Sequence, residues 1–404
     1  MGALMDWHRL LRLECGVRHY DWGERGGSDS PPYIARLLGV PVADRPFAEL
    51  WMGDHPSMSA IVADVPGRPP LGQFIVDHAQ QILGQEAARR GCRSLPFLLK
   101  VLSCDRPLSI QAHPDRQLAA RLHRQDPAHY PDANHKPEMA IALSRFRALA
   151  SFRPAHEIRA DLGRTAAFQR FFDGIASDGS WLRKAYGRVF LEPQERVVET
   201  LHAALDDHAT RDDLSIHDRL FRDCAGMYPH DAGALSVYFL NLVELKPGQA
   251  LFVAANEPHA YLSGTIIECM AASDNVVRAG LTTKFVDAAV LLPMLTYAEG
   301  AGARVCPERL SPGLARYHTP VPEFSVDLLC SESTHVLEPG DRVSIVLLLS
   351  GQARLSVGAW SVEAKRGTVW LCPAACGPVQ VEPLGGCQVQ VVRAYPAGPW
   401  DPHD

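Results

Sequence analysis

The feature that most constrains the fold is a run of strand, turn, strand and proline loop in the second half of the chain. Residues 237–245 are apolar or aromatic apart from Asn241 and Glu244, and they end at Lys246-Pro247-Gly248. Ala250-Leu251-Phe252-Val253 follows, and then Asn256-Glu257-Pro258-His259. Proline presets one residue of a turn and glycine accepts the positive φ of another, so the Pro-Gly pair predicts a sharp reversal between two strands. Strand, Pro-Gly turn, strand, proline loop and histidine, in that order, point to a double-stranded β-helix (jelly-roll) barrel. The end of the chain echoes the pattern. Val336-Leu337-Glu338-Pro339-Gly340-Asp341 leads into strands at 343–349 and 352–357, and then into residues 365–373. Residues 245–256 and 364–375 share a basic residue, a glycine two positions later and an apolar residue four positions beyond that. This internal repeat predicts a second barrel of the same type. It has no histidine or carboxylate at the positions that matter below, so a structural role is expected.

The first 150 residues combine turn signals, among them Asp21-Trp22-Gly23, Pro66-Gly67 and Pro69-Pro70, with a helical stretch at 71–86 and a buried strand over 95–110. The middle of the chain reads differently. Pro193 sits where a first-turn proline belongs, and Val197, Val198, Leu201, Ala204 and Leu205 make one apolar helix face. Residues 166–172 and 216–221 have the same character. The expectation is a mainly β chain of two barrels with a helical domain inserted in the first. The boundaries read as 1–152 plus 230–310 for the first barrel, 153–229 for the insertion and 311–404 for the second barrel. At 404 residues the chain is long enough for several cores.

Formal net charge is a mild -6, without the Lys/Arg blocks of a nucleic-acid stripe. No eighteen-residue apolar run predicts a membrane span, and the first thirteen residues lack the apolar core of a signal peptide. The ten cysteines are scattered without a CxxC, the closest pair being Cys372 and Cys376. They read as reduced thiols of a cytoplasmic protein. Walker, GxGxxG and GxSxG motifs are absent from the sequence, which removes support for nucleotide and α/β-hydrolase readings.

The chemistry concentrates in Ser109-Ile110-Gln111-Ala112-His113-Pro114. Alternate strand residues share a face, so Gln111 and His113 are expected to project together. Glu138 and His259 complete a plausible set of two imidazoles, one carboxylate and one neutral amide for a divalent metal. The bland alternative is that Glu138 caps a helix or pairs with Lys136 and that each histidine is a solvent-facing or hydrogen-bonded side chain. A second group surrounds the first: Lys100, Asn134-His135-Lys136-Pro137-Glu138, Glu268, and Asp274, Arg278 and Lys284 within 273–285. Cations beside a metal suit an anionic substrate.

Several segments jointly resemble the type I phosphomannose isomerases, zinc enzymes of the cupin superfamily. They are Tyr20-Asp21-Trp22-Gly23, residues 48–56, 95–103 and 108–114, Asn134 to Ala140, and residues 255–285, all in one order. The resemblance implies one zinc per chain, held by Gln111, His113, Glu138 and His259. It implies interconversion of mannose 6-phosphate and fructose 6-phosphate through a cis-enediol, supplying GDP-mannose synthesis or glycolysis. Arg278, Lys136, His135, Asp274 and Glu268 become candidates for catalysis. Ser109, Lys100 and Lys284 become candidates for substrate or phosphate contact. The partner is then a small sugar phosphate, with neither nucleic acid nor membrane, and the chain is expected to act as a cytoplasmic monomer. Asp54 departs from the pattern, since a small residue commonly precedes His-Pro there. Two rivals stand beside this reading: an iron-dependent cupin dioxygenase, disfavoured by the glutamine, and a non-enzymatic bicupin, disfavoured by the full ligand set with Arg278.

Overall fold

The computed structural model describes residues 5–26, 30–42, 44–338 and 340–400, so Pro339 of the second turn signal lies outside the described residues. The fold is mainly β, with antiparallel ladders gathered into an eleven-stranded, an eight-stranded and a four-stranded sheet. One strand organises the first of these. His259–Ala271 pairs through its first residues with Phe146–Phe152 and Gln111, and through Gly264 to Ala271 with Phe97–Cys104. It also pairs with Glu138–Ala142. The register slips between Tyr261 and Ser263, and Gly264 has φ 108. This is a bulge followed by a glycine bend, the usual device for turning a strand from one layer into another.

The bend leaves two groups of strands whose inner faces share a core of Leu102, Ala140, Phe146, Val243, Tyr261 and Ile266. On the outer face of the first group, Ile110, Ala112, Leu149, Ala260, Leu262 and Val277 pack against the helices. On the outer face of the second group, Leu99, Val101, Met139, Ile141 and Ile267 pack against Ile345, Leu347, Leu371 and Val392 of the C-terminal sheet. Period-two alternation thus places polar residues at even spacing between two apolar backings.

The helices run from Ala155–Leu162 to Ile216–Met227. Gln194–Ala209 buries Val197, Leu201 and Ala204, the face expected from its spacing, with Pro193 as its N-cap. Ile216–Met227 opens on a capping box in which Ser215 and Asp218 satisfy each other's backbone N–H groups. Residues 237–239, expected as strand, instead form the short helix Ser236–Phe239, and the strand begins at Leu240. The reason is tertiary. Tyr238 and Phe239 are fully buried among the helices, and the Tyr238 hydroxyl donates to Asp218 at 2.9 Å. The expected strand over 95–110 divides into Phe97–Cys104 and Ile110–Ala112, because Asp105 and Arg106 turn out to solvent. The helical stretch at 71–86 is broken into Leu71–Asp77, Ala79–Leu83 and Gln85–Arg89.

The repeat is present in three dimensions. Gly248 and Gly367 follow their basic residues with φ 83 and φ 81, and each opens a turn into a buried four-residue strand, Ala250–Val253 and Val369–Cys372. The C-terminal strands face one another across a core of Leu337, Leu348, Leu355, Trp370, Val381 and Val391. Their larger sheet takes in Leu11–Glu14, whose Leu11 and Leu13 lie opposite Leu371 and Val369. The first strand of the chain therefore hydrogen-bonds within the C-terminal sheet.

Gly264 offers a direct test of the bend. A Cβ there would overlap the Arg145 carbonyl oxygen at a φ that L-residues avoid. Gly264→Ala is expected to cost about 2–3 kcal/mol or more, read as a lower urea midpoint. An unchanged midpoint would remove this glycine from the account of the fold.

Candidate metal centre

Four stretches of chain converge at one end of the space between the two strand groups. Gln111 lies in Ile110–Ala112, opposite His259 on one side and Arg278 of Val277–Gly280 on the other. His113 follows the same short strand, and Glu138 opens Glu138–Ala142. His113, Glu138 and His259 have no solvent exposure. Their ligand-capable atoms lie within 4.8 Å of one another. His113 Nε2 is 3.2 Å from Glu138 Oε2, and His259 Nε2 is 3.0 Å from Glu138 Oε1. The Gln111 amide lies 3.2 Å from His259 Nε2 through Nε2, and a 180° turn of the amide presents Oε1 to the same place. The expected four ligands are thus brought together.

The orientation of the imidazoles tests whether a cation fits. His113 Nδ1 lies 2.8 Å from the Asn275 carbonyl, and His259 Nδ1 lies 3.3 Å from that of Glu257. With Nδ1–H donating to those carbonyls, both Nε2 lone pairs face the Glu138 carboxylate. Burial, and then the Lys136 charge, push the His113 pKa down to about 4, so its ring is neutral at pH 7. Two imidazole lone pairs and an anionic carboxylate facing one another in a buried site fit a bound cation, and nitrogen with carboxylate oxygen is a donor set that zinc accepts.

Lys136 Nζ donates to Glu138 Oε2 at 3.0 Å and lies 3.4 Å from His113 Nε2. Both readings of Glu138 are therefore realised at once: it faces the histidines and it pairs with Lys136. Burial works to raise the Glu138 pKa, but Lys136 and the two histidines more than reverse it and hold the carboxyl well below its usual range. The Tyr261 hydroxyl donates to Glu138 Oε1 at 2.7 Å, and burial beside that carboxylate keeps the phenol protonated.

Lys100 and Glu268 lie opposite each other in adjacent strands and form a buried ion pair at 2.9 Å, with Glu49 at 3.8 Å from the same ammonium. Burial disfavours the Lys100 charge, but Glu268 and Glu49 outweigh it and raise its pKa. Trp51 donates from Nε1 to Glu49 at 2.6 Å, and its ring lies 4.9 Å from Lys100 Nζ. Arg278 is half-buried next to Gln111, and its guanidinium makes no hydrogen bond or ion pair among the described residues. Asp274 is more exposed and accepts from His55 Nε2 at 3.2 Å. Ser109 reaches Gln111 Oε1 at 3.4 Å. Lys284 is exposed, with Nζ 5.3 Å from the centre of the Tyr20 ring. His135 is turned elsewhere: its Nε2 lies 2.7 Å from Glu323, which also receives Arg116 at 2.6 Å. It has no contact with the His113, Glu138 and His259 group.

Sequence reading singles out neither Tyr261, Trp51, His55 nor Asn275 for the site. Tyr261 carries a signal in hindsight, since it lies two residues from His259 on the same strand face. Trp51 and His55 stand within a segment that carried the resemblance, but their contacts with Lys100 and Asp274 are long-range. Asn275 acts through its backbone carbonyl, which no side-chain pattern reveals.

Comparison with known proteins gives a consistent result. Residues 10–155 match the family described as phosphomannose isomerase type I, catalytic domain. Mannose-6-phosphate isomerase of Bos taurus is 40% identical over 395 residues, covering 89% of this chain and 92% of the bovine one. The crystal structure of a point mutant of phosphomannose isomerase from Salmonella typhimurium superimposes with a TM-score of 0.83 at 28% identity, over 96% of this chain and 99% of that one. A crystal structure of mannose 6-phosphate isomerase bound with zinc and yttrium gives 0.82 at 28% identity, over the same shares of the two chains. With that identity over nearly the whole length of both proteins, the chain belongs to the type I phosphomannose isomerase (mannose-6-phosphate isomerase) family.

Proposed function

We propose that this chain is a zinc-dependent aldose–ketose isomerase that interconverts mannose 6-phosphate and fructose 6-phosphate, supplying GDP-mannose synthesis or glycolysis. The observation that carries the reading is the solvent-free His113, Glu138 and His259 group with an unpaired guanidinium, Arg278, two strands away from His259. Gln111, His113, Glu138 and His259 are the residues that would hold one zinc. Bound there, zinc supplies a Lewis acid for a sugar oxygen. Glutamine adds no charge to the set, so the site keeps a net positive charge toward an oxyanion.

The remaining work falls to side chains. Isomerisation opens the sugar ring and moves a proton between C1 and C2 on one face, through a cis-enediol. Lys136 is our candidate to carry that proton, because its Nζ lies beside the ligand set, 3.0 Å from Glu138 Oε2 and 3.4 Å from His113 Nε2. Asp274, hydrogen-bonded to His55, serves ring opening. Arg278 holds negative charge as it develops on the substrate, where an unpaired guanidinium has the most to gain. Glu268 is fixed by Lys100 and orients a hydroxyl, while Ser109, Lys100 and Lys284 contribute toward the phosphate end. His135, also a candidate for ring opening, acts in this reading by holding the 134–138 segment against Glu323.

The same reading takes each pair of facing sheets as a cupin barrel, with the boundaries 1–152 plus 230–310, 153–229 and 311–404. Cytoplasmic location is supported by ten cysteines scattered without a disulfide framework or a CxxC pair. No helix among the described residues is long and apolar enough to cross a membrane.

Chelation is expected to abolish isomerisation of mannose 6-phosphate, and added zinc to restore it. Full activity after verified metal removal would end the zinc reading. Arg278→Ala is expected to lower kcat by roughly 10²–10³-fold, the scale for losing one stabiliser of transition-state charge, with zinc content unchanged. Near-normal turnover in that variant would take Arg278 out of the mechanism.

A further inference from the structure

The two metal-site histidines come from different parts of the chain, and one residue ties their backbones together. Asn256 lies in the loop between Ala250–Val253 and the long strand, three residues before His259. Its backbone is left-handed, with φ 64. Asparagine is one of the few L-residues that enters this region readily. In that conformation its N–H donates to the His113 carbonyl at 2.7 Å, while its own carbonyl accepts from Thr296 N at 3.3 Å. The side chain grips the same segment twice. Asn256 Oδ1 accepts from Asp115 N at 3.2 Å, and Asn256 Nδ2 donates to Asp115 Oδ2 at 2.8 Å. Asp115 is itself held, because its Oδ1 caps the helix Arg116–Gln125 by accepting from Leu118 N at 2.9 Å.

The consequence is geometric. His113 lies beyond the end of its strand, so sheet hydrogen bonding does not fix its backbone. Three hydrogen bonds between Asn256 and residues 113–115, one of them to the His113 carbonyl, tether this segment to the loop that delivers His259. The next residue, Glu257, supplies the carbonyl that faces His259 Nδ1. The tether needs a residue that tolerates positive φ and offers one donor and one acceptor on a short side chain. Aspartate supplies the acceptor alone and sets a second carboxylate against Asp115. Glycine keeps the backbone bond and loses the other two.

We infer that Asn256 is a positioning residue for the metal centre: by clasping residues 113–115 to the His259 loop, it sets the separation and aim of His113 and His259 and so the affinity for zinc. The inference rests on the reading that His113, Glu138 and His259 hold the metal.

The test is zinc affinity, measured on the full chain by competition with a chromophoric chelator, beside the thermal midpoint of the metal-free protein. Asn256→Asp is expected to weaken zinc binding by about 10–100-fold, the range for losing a partner that orients a ligand. Asn256→Gly is expected to weaken it less. Combining Asn256→Asp with Asp115→Asn restores a donor facing an acceptor and leaves a competent N-cap, so affinity is expected to recover toward that of the unmodified chain. A merely structural loop residue would change the midpoint without this rescue. Zinc affinity within twofold of the unmodified chain in folded Asn256→Asp overturns the inference. Should that variant not fold, Asn256→Gly decides on the same criterion. An unmodified chain that binds no zinc overturns the metal reading and the inference with it, whereas tight binding in the unmodified chain and in both variants overturns the inference alone.

Discussion

A carboxylate without solvent exposure, Glu138, is the constraint around which the rest is arranged. Removing an unpaired ion from water costs several kcal/mol even after relaxation, so its surroundings must offset that loss. Lys136 supplies a full charge at 3.0 Å and Tyr261 a hydroxyl donor at 2.7 Å. The imidazole nitrogens of His113 and His259 lie 3.2 and 3.0 Å from the two Glu138 oxygens. Nitrogen and carboxylate donors gathered at one buried point are the set that a divalent ion accepts. Placing these groups at one point requires Ile110–Ala112, Glu138–Ala142 and His259–Ala271 to meet, and only the bend near Gly264 lets one strand serve both sides.

The apolar part of the fold supports this polar point from behind. Lys100 and Glu268 project toward the site, while Leu99, Val101, Ile267 and Cys269 project the other way into the core shared with the C-terminal sheet. Met139 and Ile141 do the same beside Glu138 and Ala140. Close-packed interiors transmit small displacements, so the C-terminal strands contribute to ligand placement although they carry no ligand. The N-terminal strand Leu11–Glu14 strengthens this coupling by joining the C-terminal sheet, with Leu11 and Leu13 in the common core.

What could be read in the sequence follows from what each signal depends on. The Pro247-Gly248 turn and the apolar face of Gln194–Ala209 are local, and each appears where the sequence places it, whereas His113 falls just past the strand Ile110–Ala112 that its spacing from Gln111 predicts it to share. Residues 237–239 read as strand because a run of apolar residues has no period of its own; the contact of Tyr238 with Asp218, twenty residues away, decides for helix. Break points such as 105–109 depend on which polar residues meet solvent. In the site, the convergence of Gln111, His113, Glu138 and His259 is legible through their motifs, whereas the partners of His55, His135 and Lys100 depend on loops brought together from distant segments. His135 illustrates the limit. It stands one residue from Lys136, yet the chain turns its ring toward Glu323, 188 residues further on.

The internal repeat shows how a common scaffold comes to hold chemistry in one copy and not in the other. Gly248 and Gly367 adopt nearly the same left-handed turn, and both lead into four buried residues. After the first, the chain continues through Asn256 and Pro258 to His259, and the strand beside it begins with Glu138. After the second, it continues through Pro373 and the buried Ala374 and Cys376, and the enclosed space is filled by Leu337, Leu355, Trp370 and Val381. An apolar interior of that kind needs no ion. In the first copy, the apolar core of Leu102, Phe146, Val243 and Ile266 is joined by the buried polar side chains of Glu138, His113, Lys136 and Glu268. Burying such polar groups costs free energy that an apolar interior does not, and the first copy carries them at the end where the candidate site lies, backed by the apolar face it shares with the C-terminal sheet.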